Sequence, residues 1–171
     1  HGPGVVSHFS LALVVGLMAM GSGPLSNCRV GGKVPGRTGN AWPNITPYGV
    51  YPCSDGLFIV ASANQGQFSA LCNALGHPEW IADPRFKDNG ARMAHQSELH
   101  TLFSQILSTK PRAHWESLFL EVRVPAGPIN DYQQAMAHPQ VQHLKTRIGI
   151  PHATGVEAPR IANPMRFSTS P

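Results

Sequence analysis

The hydrophobic and polar positions first predict a helix near the beginning of the chain. Residues Val5 to Met20 are apolar nearly all round, which is typical of a helix buried between two layers of structure. This run of about sixteen residues is shorter than the roughly twenty that a membrane-spanning helix needs. The segment Gly21-Ser22-Gly23-Pro24 follows directly and is predicted to end the helix.

A β-hairpin is the next predicted element. Val50 to Cys53 and Leu57 to Ser62 flank Ser54-Asp55-Gly56, which is typical of a three-residue connection containing Asp-Gly. The second stretch is apolar at every position from 57 to 61, as expected for a strand that is covered on both faces.

Further along, apolar residues recur at helical spacing, and capping residues and prolines mark the ends of the segments. The predicted helical segments are Gln67 to Leu75 with Gly76 as its stop, a turn opened by Pro78, Ala91 to Leu107, Pro111 to Val122 after a Thr109 cap, and a short helix to Ala137 capped by Asn130 or Asp131 and interrupted by Pro139. Val124 to Ile129 is predicted to be extended, and Ile148 to Phe167 is predicted to form two or three short edge strands.

One long loop precedes the hairpin. Residues Gly36 to Gly49 contain three glycines, two prolines and two asparagines, which leaves no room for a helix. Such a loop is either a flexible interdomain linker or a functional segment. Trp42, Ile45 and Tyr48 favour a functional segment, because flexible linkers rarely contain large apolar side chains.

The composition indicates a surface that is poor in charge. Charged residues make up 13% of the 171 residues and hydrophobic residues 42%, which suits a protein that covers much of its surface with another chain or domain. The net charge is +4 and no run of Lys or Arg occurs, so the sequence indicates no nucleic-acid partner.

Cysteine and histidine offer little for covalent or metal chemistry. Cys28, Cys53 and Cys72 form no CxxC pair, so neither a disulfide framework nor a zinc site is indicated, and a reducing compartment is favoured. Cys53 and Cys72 are predicted to be buried small hydrophobes. The nine histidines lack metal-ligand spacing, and we predict no metal site.

The charged side chains and the loop suggest only part of an active site. Ordinary surface ion pairs are predicted among the charged residues Asp83, Arg85, Asp88, Arg92 and Glu98. No Gly-x-Ser-x-Gly elbow and no phosphate-binding glycine loop occur. The long loop, however, can supply backbone N–H groups to a carboxylate or a developing oxyanion and can exclude water.

The order of several short segments is informative where each segment alone is not. Along the chain these segments are Gly39-Asn40-Ala41-Trp42-Pro43, Pro47-Tyr48-Gly49-Val50-Tyr51, Ser54-Asp55-Gly56, Gln67-Phe68, Leu71-Cys72, Leu75-Gly76, Asp83-Pro84-Arg85-Phe86 with Asn89 and Arg92, Val124-Pro125-Ala126-Gly127-Pro128-Ile129, and His138-Pro139-Gln140. This combination resembles family III CoA-transferases, the CaiB/BaiF-like group of formyl-CoA transferase and carnitine CoA-transferase. The resemblance covers nearly the whole chain from about Val5.

The resemblance implies an α/β parent fold with a Rossmann-like large domain, a small α+β domain and an interlocked homodimer. The chain would be a C-terminal fragment that consists mainly of the small domain and flanking pieces of the large domain. Residues 1–35 would be a helix and link of the large domain, and residues 36–49 the active-site loop. Residues 50–144 would be the small domain, and residues 145–171 would return toward the large one.

The resemblance also implies CoA transfer from an acyl-CoA to a carboxylic acid through an aspartyl-CoA intermediate. The nucleophilic aspartate would lie upstream of residue 1, so that the chain holds no catalytic residue and is inactive by itself. The predicted substrate-binding residues are Gly39, Asn40, Ala41, Trp42, Pro43 and Asn44. They align with the glycine-rich loop of formyl-CoA transferases but are not a run of glycines. The CoA thioester is a substrate, and no permanently bound cofactor is expected.

The implied partners are acyl-CoA and carboxylate molecules, with no nucleic acid and no membrane. The implied location is cytoplasmic, or mitochondrial or peroxisomal in a eukaryote. Two alternatives remain open at this point. One is an enzyme that resembles 2-methylacyl-CoA racemases, which share the fold and remove an α-proton. The other is a truncated, non-catalytic chain that lacks the nucleophile.

Overall fold

The computed structural model describes residues 12–32, 34, 36–37, 39–151 and 153–162. The chain divides into two compact units, residues 1–40 and 41–171. Within the described residues the fold is mixed α/β, with eight α-helices and two small antiparallel sheets. No described helix is both long and apolar enough to cross a membrane.

The first unit contains two consecutive helices, α1 (Leu13–Met20) and α2 (Ser22–Gly31). The predicted stop is confirmed, because α1 ends at Met20 with Gly21 as its C-cap, but Gly21 is at once the N-cap of a second helix that was not predicted. Pro24 lies in the first turn of α2, where a missing N–H breaks no intrahelical bond.

The predicted burial of the first helix is not observed. Leu13 and Met20 are 78% and 84% exposed, and α1 contains no buried residue, because the described part of the chain supplies no layer over it. The predicted start of this helix, residues 5–11, lies outside the described residues.

The second unit is built on a three-stranded antiparallel sheet in the order β1 (Tyr48–Cys53), β2 (Gly56–Ala61) and β3 (Ala126–Pro128). The predicted hairpin is present, but its connection is two residues long, since Cys53 pairs directly with Gly56. Gly56 has a φ of +148°, a conformation that side-chain-bearing residues rarely adopt.

The sheet has one covered face. Tyr51, Phe58 and Val60 are almost fully buried, whereas Leu57 is 50% exposed. The prediction that β2 is covered on both faces is therefore wrong for the described residues, because their burial alternates along the strand and one face stays open.

The covered face packs against a helical layer. Its members are α3 (Gln65–Ala74), a 3-10 helix (Pro78–Ile81), α4 (Asn89–Ala94), α5 (Gln96–Leu107) and α6 (Arg112–Glu121). Five phenylalanine side chains in the core are fully buried, namely Phe58, Phe68, Phe86, Phe103 and Phe119. Burying aromatic side chains is a main source of stability in such a unit.

Two of the predicted helices differ from the structure at their ends. The single helix predicted from Ala91 is two helices, because His95 leaves the helical conformation with φ −113° and ψ 26°. The predicted Thr109 cap is wrong, since its hydroxyl donates to the carbonyl of Ile106 and Pro111 is the N-cap of α6.

The remaining elements follow the predicted order. They are α7 (Tyr132–Ala137), α8 (Pro139–His143), β4 (Arg147–Pro151) and β5 (Glu157–Ile161). Asp131 caps α7 as predicted, in a reciprocal capping box with Gln134. The strands β4 and β5 form a separate two-stranded hairpin, and the predicted end of this region, residues 163–167, lies outside the described residues.

Asp55 joins the hairpin to α6. Its Oδ1 accepts a hydrogen bond of 2.8 Å from the backbone N–H of Arg112, the first residue of the helix. We expect Asp55→Ala to lower the free energy of unfolding by about 1 kcal/mol, as for a lost N-cap, because this N–H loses its acceptor. Urea denaturation measures the change. Asp55→Asn keeps the Oδ1 acceptor and is the matched control, and an equal loss in both variants would contradict the capping role.

Candidate functional site

The predicted substrate-binding residues lie on either side of the boundary between the two units. Gly39 and Asn40 form an exposed turn at the end of the first unit. Gly39 has a φ of +61°, and a Cβ atom built on it would meet no atom within 4 Å. The turn therefore requires the backbone freedom of glycine, although the space around Gly39 is open.

The other four predicted residues begin the second unit. We call residues 41–47 the Trp42 segment. The backbone N–H of Trp42 donates to the carbonyl of Tyr48 at 3.2 Å, and the two rings pack with their centroids 5.3 Å apart. The Trp42 side chain nevertheless stays 48% exposed. A tethered backbone with a half-exposed aromatic ring argues against a flexible linker.

The Trp42 segment is fixed where it enters β1. Thr46 and Pro47 are buried, and the Pro47 carbonyl accepts from the N–H of Ser62 at 3.0 Å. Asn89 donates from Nδ2 to the Asn44 carbonyl at 2.8 Å and accepts at Oδ1 from the Thr46 N–H at 3.3 Å. One side chain thus holds the backbone on both sides of Ile45.

Arg92 provides the second attachment. Its Nε donates to the Thr46 carbonyl at 2.9 Å, and its Nη1 donates to the carbonyl of Phe86 at 3.0 Å and to Oε1 of Gln65 at 2.8 Å. The guanidinium also lies 4.2 Å from the centroid of the Phe68 ring, a cation–π contact.

Arg92 is only 3% exposed, and this burial lowers the pKa of its guanidinium. The predicted surface ion pair of Arg92 is therefore wrong, because its acceptors are carbonyl and amide oxygens inside the unit. The prediction holds for Arg85, which binds Asp83 and Glu98 at the surface.

The Trp42 segment also presents backbone donors. The N–H groups of Ala41, Asn44 and Ile45 donate to no atom of the described residues, whereas those of Trp42 and Thr46 are engaged. Adjacent unengaged N–H groups form the kind of surface that receives a carboxylate or an oxyanion.

The four aspartates of the chain all have structural partners. Asp55 binds the N-terminus of α6, Asp88 caps α4 and Asp131 caps α7. Asp83 accepts from Arg85 at 2.6 Å, and these hydrogen bonds lower the pKa of Asp83 to about 2. None of these carboxylates has the unengaged position that a nucleophile requires.

The buried cysteines are equally unsuited to nucleophilic attack. Cys53 and Cys72 are free and buried, as predicted. Burial raises the pKa of the Cys53 thiol and raises that of Cys72 to about 12, so both stay protonated at neutral pH. The described residues contain no group of three His, Cys, Asp or Glu side chains placed to hold a metal ion.

Comparison with known protein families tests the resemblance independently. The model of CoA-transferase family III matches residues 2–171. The chain belongs to CoA-transferase family III. Its identification by resemblance is thereby confirmed.

Relatives with known reactions are similar over nearly the whole chain. It is 37% identical over 169 residues to the succinate–glutarate CoA-transferase of Agrobacterium fabrum, and 33% identical over 162 residues to the acetyl-CoA:oxalate CoA-transferase of Acetobacter aceti. These alignments cover 96% and 95% of the chain, but only 41% and 40% of the relatives. The chain thus spans about two-fifths of the length of the proteins it matches.

A solved structure confirms the fold class. A CaiB/BaiF family protein from Brucella suis superposes with a TM-score of 0.76 and 35% sequence identity, covering 96% of the chain and 42% of that protein. The mixed α/β architecture of the family is therefore present in the described residues.

Sequence reasoning missed the roles of Asn89 and Arg92. Both residues were part of the family pattern, but a surface ion pair was predicted for Arg92 and no role was predicted for Asn89. Their spacing of three residues within one helix was the available signal, because it places both side chains on one face of α4.

Arg92 offers a direct test of this arrangement. We expect Arg92→Ala to lower the free energy of unfolding by roughly 2–4 kcal/mol, because three buried or half-buried acceptors lose a charged donor. Urea denaturation measures the change, with exposed Lys87→Ala as the control that removes a cation without these bonds. Equal stabilities of the two variants would contradict the role assigned to Arg92.

Proposed function

We propose that the protein containing this chain transfers CoA from an acyl-CoA to a small carboxylic acid, with dicarboxylates as the favoured acceptors. The relatives' names, which refer to succinate, glutarate and oxalate, support this substrate class. The observation that carries the proposal for this chain is the Trp42 segment, which combines unengaged backbone N–H groups with a fixed base.

In the proposed reaction an enzyme aspartate attacks the acyl-CoA thioester and expels the CoA thiolate, which leaves a mixed anhydride. The thiolate then attacks the aspartyl carbonyl, releases the first carboxylate and forms the aspartyl-CoA thioester. The acceptor carboxylate collects the CoA by the same two steps in reverse. Each attack places negative charge on a carbonyl oxygen, and backbone N–H groups stabilise such charge.

The nucleophilic aspartate of this scheme is proposed to lie outside residues 1–171. The four aspartates of the chain support this assignment, because each has a structural hydrogen bond or ion pair. The chain is then the C-terminal portion of a longer, interlocked homodimeric enzyme and is inactive alone. Its contribution is the loop of Gly39 to Asn44, which lines the mouth of the site, and the domain of residues 50–144.

Activity of the full-length protein tests the proposal. We expect incubation with succinyl-CoA and glutarate, oxalate or another dicarboxylate to yield the acceptor's CoA thioester, detected by mass spectrometry. Residues 1–171 alone are the matched control and should form none. Exchange of an α-proton for deuterium without CoA transfer would instead indicate a racemase-like enzyme, and neither activity would indicate a non-catalytic protein.

Gly39 tests the proposed role of the loop. We expect Gly39→Val in the full-length protein to lower kcat/KM roughly tenfold, because a β-branched residue disfavours a φ of +61° and displaces the loop from its productive position. Gly155→Val is the matched control, since Gly155 also has a positive φ of +77° and open space around its Cβ position. An unaltered rate for Gly39→Val would count against the loop.

A further inference from the structure

Asn89 connects the loop to the folded domain in a way that the family assignment does not explain. It is the first residue of α4, and the carboxylate of Asp88 caps this helix by accepting from the N–H of Ala91 at 2.8 Å. The cap fixes the backbone that carries the Asn89 side chain. A side chain that begins from a fixed backbone can position a neighbouring segment more exactly than one on a loop.

The two hydrogen bonds of Asn89 use both ends of its carboxamide. Nδ2 donates to the Asn44 carbonyl, and Oδ1 accepts from the Thr46 N–H. Because one bond needs a donor and the other an acceptor, no carboxylate or hydrophobic side chain of similar shape can make both. The contact therefore selects an asparagine, and it fixes the orientation of the peptide groups at residues 44–46.

The orientation of these peptide groups sets the direction of the unengaged N–H group of Ile45. The N–H of Ile45 belongs to the same planar peptide group as the Asn44 carbonyl that Asn89 holds. Arg92, one helical turn further on the same face of α4, holds the Thr46 carbonyl but makes no bond to Asn44. Asn89 is thus the side chain that extends the fixed region from Thr46 back to Asn44.

We propose that Asn89 is a positioning residue for CoA transfer, which acts by holding the backbone amide of Ile45 toward the carboxylate of the acceptor substrate. This inference rests on the proposed function. It adds a residue that lies outside the loop itself and is separated from Asn44 by 45 positions in sequence.

Two variants separate positioning from folding. Asn89→Ala removes both hydrogen bonds. Asn89→Asp keeps the shape and the Oδ1 acceptor but replaces the donor with an oxygen that faces the Asn44 carbonyl. A carboxylate is well tolerated in the first turn of a helix, so the Asp variant is expected to fold. Asp131→Ala is the control, because it removes the side-chain cap of α7, another polar contact at the start of a short helix, and changes no contact of the Trp42 segment.

Trp42 provides a readout that is independent of activity. It is 48% exposed, whereas Trp80 and Trp115 are 8% and 5% exposed, so acrylamide quenching within this chain reports mainly on Trp42. In the full-length protein, the signal of a Trp42→Phe variant is subtracted to isolate this residue. We expect both Asn89 variants to raise the quenching constant of Trp42, and Asp131→Ala to leave it unchanged.

Kinetics complete the test. We expect both Asn89 variants to lower kcat/KM roughly ten- to a hundredfold, as for misplaced groups that bind a reacting substrate. The KM for the acceptor carboxylate should rise as well, because the displaced amide binds the carboxylate less well. A mere loss of folded protein would lower the rate and leave KM unchanged. Asp131→Ala should keep the wild-type KM.

The possible outcomes distinguish this inference from the function on which it rests. Wild-type quenching or wild-type KM in both Asn89 variants would overturn the positioning role, even in an enzyme that transfers CoA. The same changes in Asp131→Ala would overturn it too. A wild-type protein without transfer activity would overturn the proposed function, while raised quenching in the Asn89 variants would still identify Asn89 as the anchor of the loop.

Discussion

A guanidinium that leaves water must find acceptors for its N–H groups, and Arg92 finds them on three separate parts of the chain. These are the carbonyl of Thr46 before β1, the carbonyl of Phe86 before α4, and the side chain of Gln65 at the start of α3. The desolvation of the cation is offset only when all these acceptors are in place. The buried charge therefore couples the position of the loop to the packing of two helices.

This coupling explains how one loop can be both ordered and available to a ligand. From Asn44 onward its backbone is held by Asn89, Arg92 and the pairing with Ser62. Ahead of Asn44, the segment is held by the contact between Trp42 and Tyr48, which leaves half of the indole exposed. Rigid donors next to an accessible aromatic surface suit the recognition of a small carboxylate, because few groups must be ordered on binding.

The pattern of neighbouring residues predicted most of the helices and strands. Features that depend on contacts between residues distant in sequence were not predicted. The hairpin, α3 and the N-cap of α7 were predicted from residues that are close in sequence, and all three are present. The break at His95 was missed because the apolar spacing continues across it. For the candidate site, the loop was recognisable from its residues and from the family pattern. Its anchors were not, since hydrogen bonds over more than forty positions leave no periodic signal.

Two elements of the described residues, β2 and α1, leave apolar side chains uncovered. Each position of β2 from 57 to 61 is apolar, yet the described helices cover only one face of the strand. In the other unit, α1 buries none of its apolar residues. Exposed apolar residues of this kind are common where proteins contact other surfaces, and the share of charged residues in the chain is low. The errors in predicting burial thus have a common cause: the sequence pattern shows which residues are apolar, and it does not show which layer of structure covers them.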